Sequence, residues 1–208
     1  MKAPAMRSPD PFRYPGRPHR RKHGPQGYRH YSEFREWLRD EFDFRCVYCL
    51  YRERWGQKKG NFDLDHLVPR KLREDLALTY DNLVYACHTC NLTKSFDLVP
   101  DPHTHAYAEC LRVEDDGTIT ALNEAGEKLI EELDLDDQHR EEFRKLVLDT
   151  VKMAARAGRA DLLRQWLGLP SDLPVLERGR RNPPEGNSRE DGIASSWHLK
   201  RPQPEMYE

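Results

Sequence analysis

Regular spacing of apolar residues begins only near Ser32. Residues 1–30 are rich in Pro, Gly, Arg and His and show neither helical nor strand periodicity, which predicts a flexible basic arm. Within 32–42 the apolar side chains recur at intervals of three and four residues, as they do on one face of a helix. Ser32 is a residue type favoured at helix N-caps. We therefore expect a disordered arm followed by a helix.

Alternating and β-forming patterns in the next part of the chain predict two strands. Phe62, Leu64 and His66 alternate with acidic residues and form the first strand candidate. The second candidate, 82–87, is rich in β-forming side chains, and the segment after it has the length of a short helix. Two strands followed by a helix is therefore the prediction for residues 61–96.

The remainder of the chain combines one turn signal with helical spacing. Asp116 and Gly117 lie between two β-prone runs within 110–122 and predict a hairpin. Apolar spacing then predicts three helices, which cover about 124–133, about 137–157 and about 159–167. The apolar stripe of the second helix consists of Phe143, Leu146, Val147, Thr150, Val151 and Ala154.

Composition argues against a membrane protein and predicts polar ends. A hydrophobic content of 37% and a mean hydropathy of -0.93 are low, which favours a folded centre with disordered termini. No apolar run approaches the ~20 residues that a spanning helix needs. The N-terminus lacks the apolar segment of a secretory signal, so a cytoplasmic, reducing location is expected.

The net charge of -2 conceals a contrast along the chain. Residues 1–30 contain eight Lys and Arg against one acid, whereas 109–149 contain fourteen Asp and Glu against five Lys and Arg. Such a contrast fits a protein with one anion-facing side and one solvated side. It fits equally a basic tail that precedes ordinary acidic helices.

Four cysteines form two Cys-x-x-Cys pairs, Cys46 with Cys49 and Cys87 with Cys90. In a reducing compartment such pairs are better explained as zinc ligands than as disulfides. Four thiolates complete the tetrahedral coordination of zinc and leave no position for substrate, so we expect this zinc to be structural. The 37 residues between the pairs exceed the spacing of a compact zinc ribbon, which indicates that the intervening segment carries a function.

Four polar residues with suitable chemistry lie in or beside that intervening segment: Asp65, His66, Asn82 and Asn91. Asparagine amides orient imidazoles or bind hard cations through oxygen, although cap and turn roles are more usual. Strand alternation places Asp65 and His66 on opposite faces, so a twist or bulge is needed if both are to reach one site.

The order of these elements resembles the motif of the HNH endonuclease family in its zinc-binding form. The matching pieces are Cys46-x-x-Cys49, Asp65-His66-Leu-Val-Pro-Arg70, Asn82-Leu-Val and Cys87-x-x-Cys90-Asn91-x-x-Lys94. The chain corresponds to the version in which Asn replaces the final His, and the resemblance covers about 46–96. It implies a ββα-metal fold and hydrolysis of nucleic-acid phosphodiesters with a divalent ion.

The resemblance also implies a role for each polar residue. His66 would be the general base, Asp65 and Asn91 would hold the catalytic ion, and Asn82 would orient His66. The chemistry agrees, because a neutral imidazole accepts a proton at cellular pH. One carboxylate and one amide oxygen suit Mg²⁺ or Mn²⁺.

Basic residues beside this set predict contacts with nucleic-acid phosphates. We expect Arg70, Lys71 and Lys94 to make them, although a solvated face explains any single lysine about as well. Double-stranded DNA is the expected substrate. A non-catalytic zinc module that only binds nucleic acid and an RNA-cleaving nuclease with the same site are the alternatives.

The expected fold class is α+β, with a ββα-metal nuclease core stapled by the four-cysteine zinc site and followed by a small hairpin and a helical region. The predicted domains are a basic arm (1–30), a nuclease domain (31–108), a hairpin with C-terminal helices (109–170) and a polar tail (171–208).

Overall fold

The computed structural model describes residues 9–56, 61–176 and 182–189, together with Ser196 and His198. These residues form six α-helices and two two-stranded sheets, which confirms the predicted α+β class. In chain order the elements are α1 (Arg35–Glu41), β1 (Phe62–His66), β2 (Leu83–Cys87), α2 (His88–Lys94), α3 (Tyr107–Cys110), β3 (Leu111–Val113), β4 (Ile119–Ala121), α4 (Glu124–Leu133), α5 (Gln138–Arg156) and α6 (Ala160–Leu167). In the described part of the chain, no helix combines the length and the apolar character needed to cross a membrane.

Strands β1 and β2 form an antiparallel hairpin, as the alternating pattern predicts. The register pairs Phe62 with Cys87 at one end and His66 with Leu83 at the other, without interruption. On one face the Phe62 ring stacks on Tyr85, with ring centroids 4.7 Å apart and planes 9° from parallel. This face is therefore the apolar side of the hairpin, and it packs into the core.

The short helix predicted after β2 is present as α2, and it covers the acidic face of the hairpin. Asn91 donates from Nδ2 to Asp63 Oδ2 at 3.2 Å. One turn further on, Lys94 donates from Nζ to Asp65 Oδ1 at 3.1 Å. The two aspartates of β1 therefore face α2 and not the apolar core.

The first predicted helix is present, but it begins differently from the prediction. A 3-10 turn, Tyr31–Phe34, precedes α1, and its N-cap is His30 instead of Ser32. Glu33 favours this start because its carboxylate accepts the His30 backbone N–H at 2.9 Å. Trp37 lies on the buried face of α1, as the apolar spacing predicts.

The C-terminal elements follow the predicted order of one hairpin and three helices. Gly117 turns the β3–β4 hairpin at a φ of 90°, and a Cβ at this position would lie 2.3 Å from the Glu141 carbonyl oxygen. The predicted stripe of α5 needs one correction, because Leu146 is 59% exposed. The buried residues of α5 are Arg144, Val147, Leu148, Val151 and Ala154.

The expected flexible arm is wrong for residues 9–30, which are packed against the folded core. Phe12 and Tyr14 are buried, and the Tyr14 hydroxyl donates to the Tyr48 carbonyl oxygen at 2.8 Å. His23 is also buried, with Nε2 2.7 Å from Asp40 Oδ2. Aromatic anchors and a buried hydrogen bond therefore fix a segment whose composition is otherwise typical of disorder.

Buried side chains from the N-terminal segment to Leu176 belong to one continuous core. Asn187 forms a bridge with Pro25, so part of the predicted polar tail also contacts the N-terminal segment. The other predicted ends, 1–8 and 199–208, lie outside the described residues. The domain limits remain predictions.

Candidate functional site

The four cysteines of the two Cys-x-x-Cys pairs converge on one point. Their sulfur atoms all lie within 4.8 Å of one another, and Cys49 Sγ is 3.6 Å from Cys87 Sγ. Zn–S bonds of about 2.3 Å in a tetrahedron place sulfurs about 3.8 Å apart. The cluster therefore fits a structural Zn²⁺. It is the one group of three or more His, Cys, Asp or Glu side chains placed to share an ion within the described ranges.

Backbone hydrogen bonds hold both cysteine pairs in place. In the first pair, the N–H of Leu50 donates to the Cys46 carbonyl at 3.0 Å, and Leu50 adopts a positive φ of 60°. The N–H of Val47 donates to the Tyr85 carbonyl at 2.9 Å, which ties this turn to β2. In the second pair, Cys87 Sγ accepts the Cys90 N–H at the N-terminus of α2. The zinc site thus joins the first turn, β2 and α2.

Arg140 on α5 contacts the zinc site and was not foreseen from the sequence. Its Nη1 donates to Cys90 Sγ at 3.2 Å. Four thiolates and one Zn²⁺ carry a net charge of about -2, which a guanidinium partly offsets. Burial and the neighbouring sulfurs raise the pKa of the Cys46 thiol, so the cluster needs cationic charge to hold thiolates. Arg140 is one of three arginines in α5, and nothing in the sequence distinguishes it as the one that contacts the cysteine cluster.

His66 ends β1 with its imidazole held by the backbone. Nε2 lies 3.1 Å from the Ala77 carbonyl oxygen, and the ring packs edge-on against Tyr31 at 5.1 Å. A carbonyl only accepts hydrogen bonds, so Nε2 carries the proton and Nδ1 keeps its lone pair. Burial lowers the pKa of His66 below its usual value, which keeps the ring neutral. This is the protonation state of a general base.

Asp65 is buried beside His66, on the α2 side of the hairpin. The Tyr48 hydroxyl donates to Oδ2 at 2.6 Å, and Lys94 Nζ donates to Oδ1 at 3.1 Å. Lys94 also donates to the His66 carbonyl at 2.9 Å. Burial raises the pKa of the Asp65 carboxyl, and both donors oppose that rise.

Lys94 does not have the exposed position expected of a phosphate contact. Its side chain is 0% exposed, and its ammonium is bonded to Asp65 and to the His66 carbonyl. The physical reason is that α2 lies directly on the hairpin, so the side chain of its last residue, Lys94, points into the protein. The expected contact is corrected to a buried role, that of positioning β1.

Asn82 fastens the loop between the two strands instead of touching the imidazole. Its Oδ1 accepts the Val68 N–H at 2.8 Å, and its Nδ2 donates to the Val68 and Leu76 carbonyls at 3.0 and 3.3 Å. Ala77, whose carbonyl holds His66, follows Leu76 in the same loop. Asn82 is therefore placed to influence His66 through the loop.

Asn91 lies on the same face as Asp65 but is bonded to Asp63. Asp63 Oδ2 is 3.2 Å from Asn91 Nδ2 and 2.7 Å from His88 Nδ1. The structure therefore brings Asp65 and Asn91 to one face and leaves His66 at the strand end, where no bulge interrupts the pairing. His66 and Asp65 are still close enough to interact: burial lowers the pKa of His66, and the nearby Asp65 carboxylate opposes part of that effect.

Two exposed basic residues, Arg70 and Lys71, lie in the loop that follows His66. The Arg70 guanidinium lies 5.4 Å from the Tyr31 ring centre, and Lys71 Nζ lies 4.7 Å from the ring centre of Phe96, which is also exposed. Tyr31 therefore contacts both Arg70 and His66. It lies outside the motif that pointed to the site, and only the folded chain reveals it.

The hairpin, the crossing helix α2 and the four-cysteine cluster together define a zinc-stapled ββα-metal fold. Residues 46–97 match the family model of the HNH endonuclease, which confirms the resemblance for this quarter of the chain. No curated protein and no solved structure matches the chain. The HNH match indicates nuclease activity and a nucleic-acid substrate.

Replacing Lys94 with methionine is expected to lower the free energy of unfolding by about 3–5 kcal/mol. The Asp65 carboxylate would remain buried without its counter-charge, which is the costly way to break a buried ion pair. Urea denaturation measures the change. Lys145→Met removes an exposed partner of Asp149 and should leave the midpoint unchanged. Equal midpoints for Lys94→Met and the parent would contradict the buried pair.

Proposed function

We propose that the protein is a metal-dependent endonuclease that hydrolyses phosphodiester bonds of double-stranded DNA, with His66 as the general base. One observation carries the proposal: the Ala77 carbonyl holds His66 Nε2 and leaves Nδ1 available at the end of a zinc-stapled hairpin. Exposed Arg70 and Lys71 beside this imidazole supply the positive charge that a phosphate backbone attracts.

In this mechanism His66 Nδ1 accepts a proton from the water that attacks the phosphorus. The Ala77 carbonyl, which accepts from Nε2, orients the ring and stabilises the imidazolium that forms. Tyr31 limits rotation of the ring through its edge-on contact. The Arg70 guanidinium, 5.4 Å from the Tyr31 ring centre and exposed, is placed to contact the substrate phosphate.

Asp65 and Asn91 would hold the catalytic divalent ion, Mg²⁺ or Mn²⁺. Lys94 supports the assignment of Asp65 as a cation ligand, because the Lys94 ammonium is itself a cation bound at Asp65 Oδ1. Carboxylate and amide oxygens are ligands that hard cations prefer. When bound, the ion stabilises the charge on the phosphate and the leaving oxygen. Lys94 competes for the same carboxylate and therefore weakens binding of the ion.

A non-catalytic zinc module is the second candidate, and a specific observation favours it. Both carboxylate oxygens of Asp65 are engaged, one by Tyr48 and one by Lys94. A carboxylate satisfied in this way stabilises the hairpin without any ion. Under this alternative the exposed Arg70 and Lys71 would bind nucleic acid that is not cut.

The decisive experiment combines three substrates with two metals. The zinc-loaded protein is incubated with plasmid DNA, single-stranded DNA and RNA, each with Mg²⁺ or Mn²⁺, and we expect cuts in the plasmid. Asn91→Ala should raise the metal concentration needed for half-maximal cleavage, whereas Thr93→Ala, exposed on the same helix, should not. Intact plasmid with zinc retained would favour the non-catalytic module. Cleavage of RNA alone would establish the RNA-cleaving alternative.

The proposal includes a cytoplasmic location. The four zinc ligands act as thiolates, and a reducing compartment keeps them in that form. Measuring free thiols and zinc in protein taken directly from cells tests this part: one zinc and no disulfide per chain is the expected result.

A further inference from the structure

A cavity of about 470 Å³ beside the start of β2 is lined mainly by cationic and imidazole side chains. The basic residues are Arg20, Arg21 and Arg189, and the imidazoles are His19 and His103. None of them belongs to the HNH-matched segment 46–97. The charge of the cavity therefore comes from the N-terminal segment, the loop after α2 and the C-terminal segment.

Arg21 forms the buried wall of this cavity. Its side chain is 3% exposed, and its Nη2 donates to the carbonyls of Asp81 and Leu83 at 3.0 and 2.7 Å. Its Nε and Nη1 have no hydrogen-bond partner within the described residues. The guanidinium is held between Phe42 and Tyr80, 5.4 and 4.9 Å from the ring centres. Asp81 Oδ1 lies 3.5 Å from Nε, so Nη1 is the fixed donor without an acceptor, and it favours an anion at this place.

His103 also lines this cavity, but it adds no second N–H donor. A carboxylate only accepts, so Nδ1 carries the ring proton and donates it to Asp101, and Nε2 of the neutral ring keeps a lone pair. Its Nδ1 lies 2.6 Å from Asp101 Oδ1, while Nε2 is buried without a hydrogen-bond partner among the residues described. Arg20 and Arg189 are exposed, and neither forms an ion pair with another of the described residues. Three separate arginine side chains thus present cationic groups around one space.

Two carboxylates also line the cavity, and both have cationic or donor partners. Asp101 is bonded to the His103 ring and to its backbone N–H, at 2.6 and 2.8 Å. Asp81 lies 3.5 Å from Arg21 Nε, with its side chain 67% exposed. Three arginines therefore exceed the acidic groups, and the excess charge is positive.

The cavity is close to the proposed catalytic base. Arg21 is bonded to the Leu83 carbonyl, and Leu83 is the residue paired with His66 across the hairpin. Paired residues of antiparallel strands lie about 4.5–5.5 Å apart at Cα. A nucleic-acid strand positioned at His66 would therefore carry its neighbouring phosphates past this space.

We propose that Arg20, Arg21 and Arg189 form a phosphate site for the nucleic-acid backbone, separate from the phosphate that is cut. The assignment rests on the proposed function, because it takes the backbone of that substrate as the ligand. Guanidinium groups match phosphate oxygens with paired N–H donors. The site extends the substrate contact beyond the HNH segment, and it explains why the basic N-terminal segment is packed and not free.

The test measures binding without cleavage. In a His66→Ala background, the affinity for a fluorescent 20-mer DNA duplex is measured by anisotropy over a range of salt concentrations. Arg20→Gln with Arg189→Gln removes two exposed arginines and leaves the packed Arg21 in place. Each lost phosphate contact lowers the slope of log affinity against log salt by about 0.9, so we expect a decrease of about 1.8.

The matched control is Lys128→Gln with Arg156→Gln, two exposed cations on α4 and α5 that leave the same net charge. For this control, the slope of log affinity against log salt should equal that of the His66→Ala parent. Asp81→Asn removes the more exposed of the two carboxylates that line the cavity and should tighten binding of the duplex.

Each result bears on a different claim. Duplex binding with an unchanged slope for Arg20→Gln/Arg189→Gln would overturn the phosphate site but not the nuclease. Absence of duplex binding by the His66→Ala parent protein would contradict both the phosphate site and the proposed nuclease function. Inorganic phosphate could also raise the melting temperature of the parent but not that of the double variant. If the two proteins then show the same slope of log duplex affinity against log salt, the nucleic-acid assignment would be overturned and a free-phosphate site established.

Discussion

Replacing Cys87 with serine is expected to abolish zinc binding and cooperative unfolding together. Structural Zn²⁺ contributes about 10–16 kcal/mol in zinc-finger peptides, comparable with the whole stability of about 5–15 kcal/mol of an ordinary domain. Cys87 both ends β2 and caps α2, so its loss releases the hairpin from the helix that covers it. Metal content by mass spectrometry and thermal melting by circular dichroism measure the two effects.

Cys110→Ser provides the matched control for this change. Cys110 is buried like Cys87 but is the last residue of α3, outside the sulfur cluster. Its replacement should retain one zinc per chain and a cooperative transition at a slightly lower temperature. A Cys87→Ser variant that melts like Cys110→Ser and keeps its zinc would contradict the four-cysteine site.

The zinc-stapled hairpin could be predicted from the sequence because its determinants are local. Alternation identifies β1, β-forming residues identify β2, and two short Cys-x-x-Cys spacings identify the metal ligands. The same holds for α4 to α6, whose apolar spacing gives their positions within one or two residues. Each of these signals is contained within about twenty residues.

The parts that could not be predicted depend on contacts between distant segments. The composition of residues 9–30 predicts disorder, yet Tyr14 and His23 are buried against partners more than fifteen positions away. Lys94 has the residue type of a phosphate contact, and only its packing on Asp65 shows that it is internal. Tyr31 and Arg140 reach the site from outside the motif, so no spacing within the motif could identify them.

These contacts connect the zinc staple to the imidazole. The first cysteine turn is bonded to β2, β2 is paired with β1, and β1 ends at His66. Lys94 joins α2 to the backbone of His66 itself. Displacing any of these elements by about 1 Å can reduce catalysis strongly without touching a reacting group. Loss of activity alone therefore cannot separate a structural role from a catalytic one in this protein.

Replacing His66 with alanine is expected to lower the rate of plasmid cleavage by about 10²–10⁴-fold, the usual contribution of a general base. Zinc content should stay at one per chain, because the sulfur cluster does not include His66. Single-turnover cleavage at saturating metal measures the loss. His139→Ala, which removes an exposed imidazole from α5, should leave the rate unchanged.

Imidazole added to the His66→Ala protein separates the base from a structural residue. The alanine leaves space below the Ala77 carbonyl, and a free imidazole that binds there presents a second nitrogen to the water, as His66 Nδ1 does. We expect cleavage to rise with imidazole concentration in the variant and to stay constant in the parent. A folded, zinc-loaded variant that cleaves at the parental rate would exclude His66 as the base. A variant that is inactive at every imidazole concentration, with a lowered melting temperature, would instead assign His66 to the packing of β1 against Tyr31.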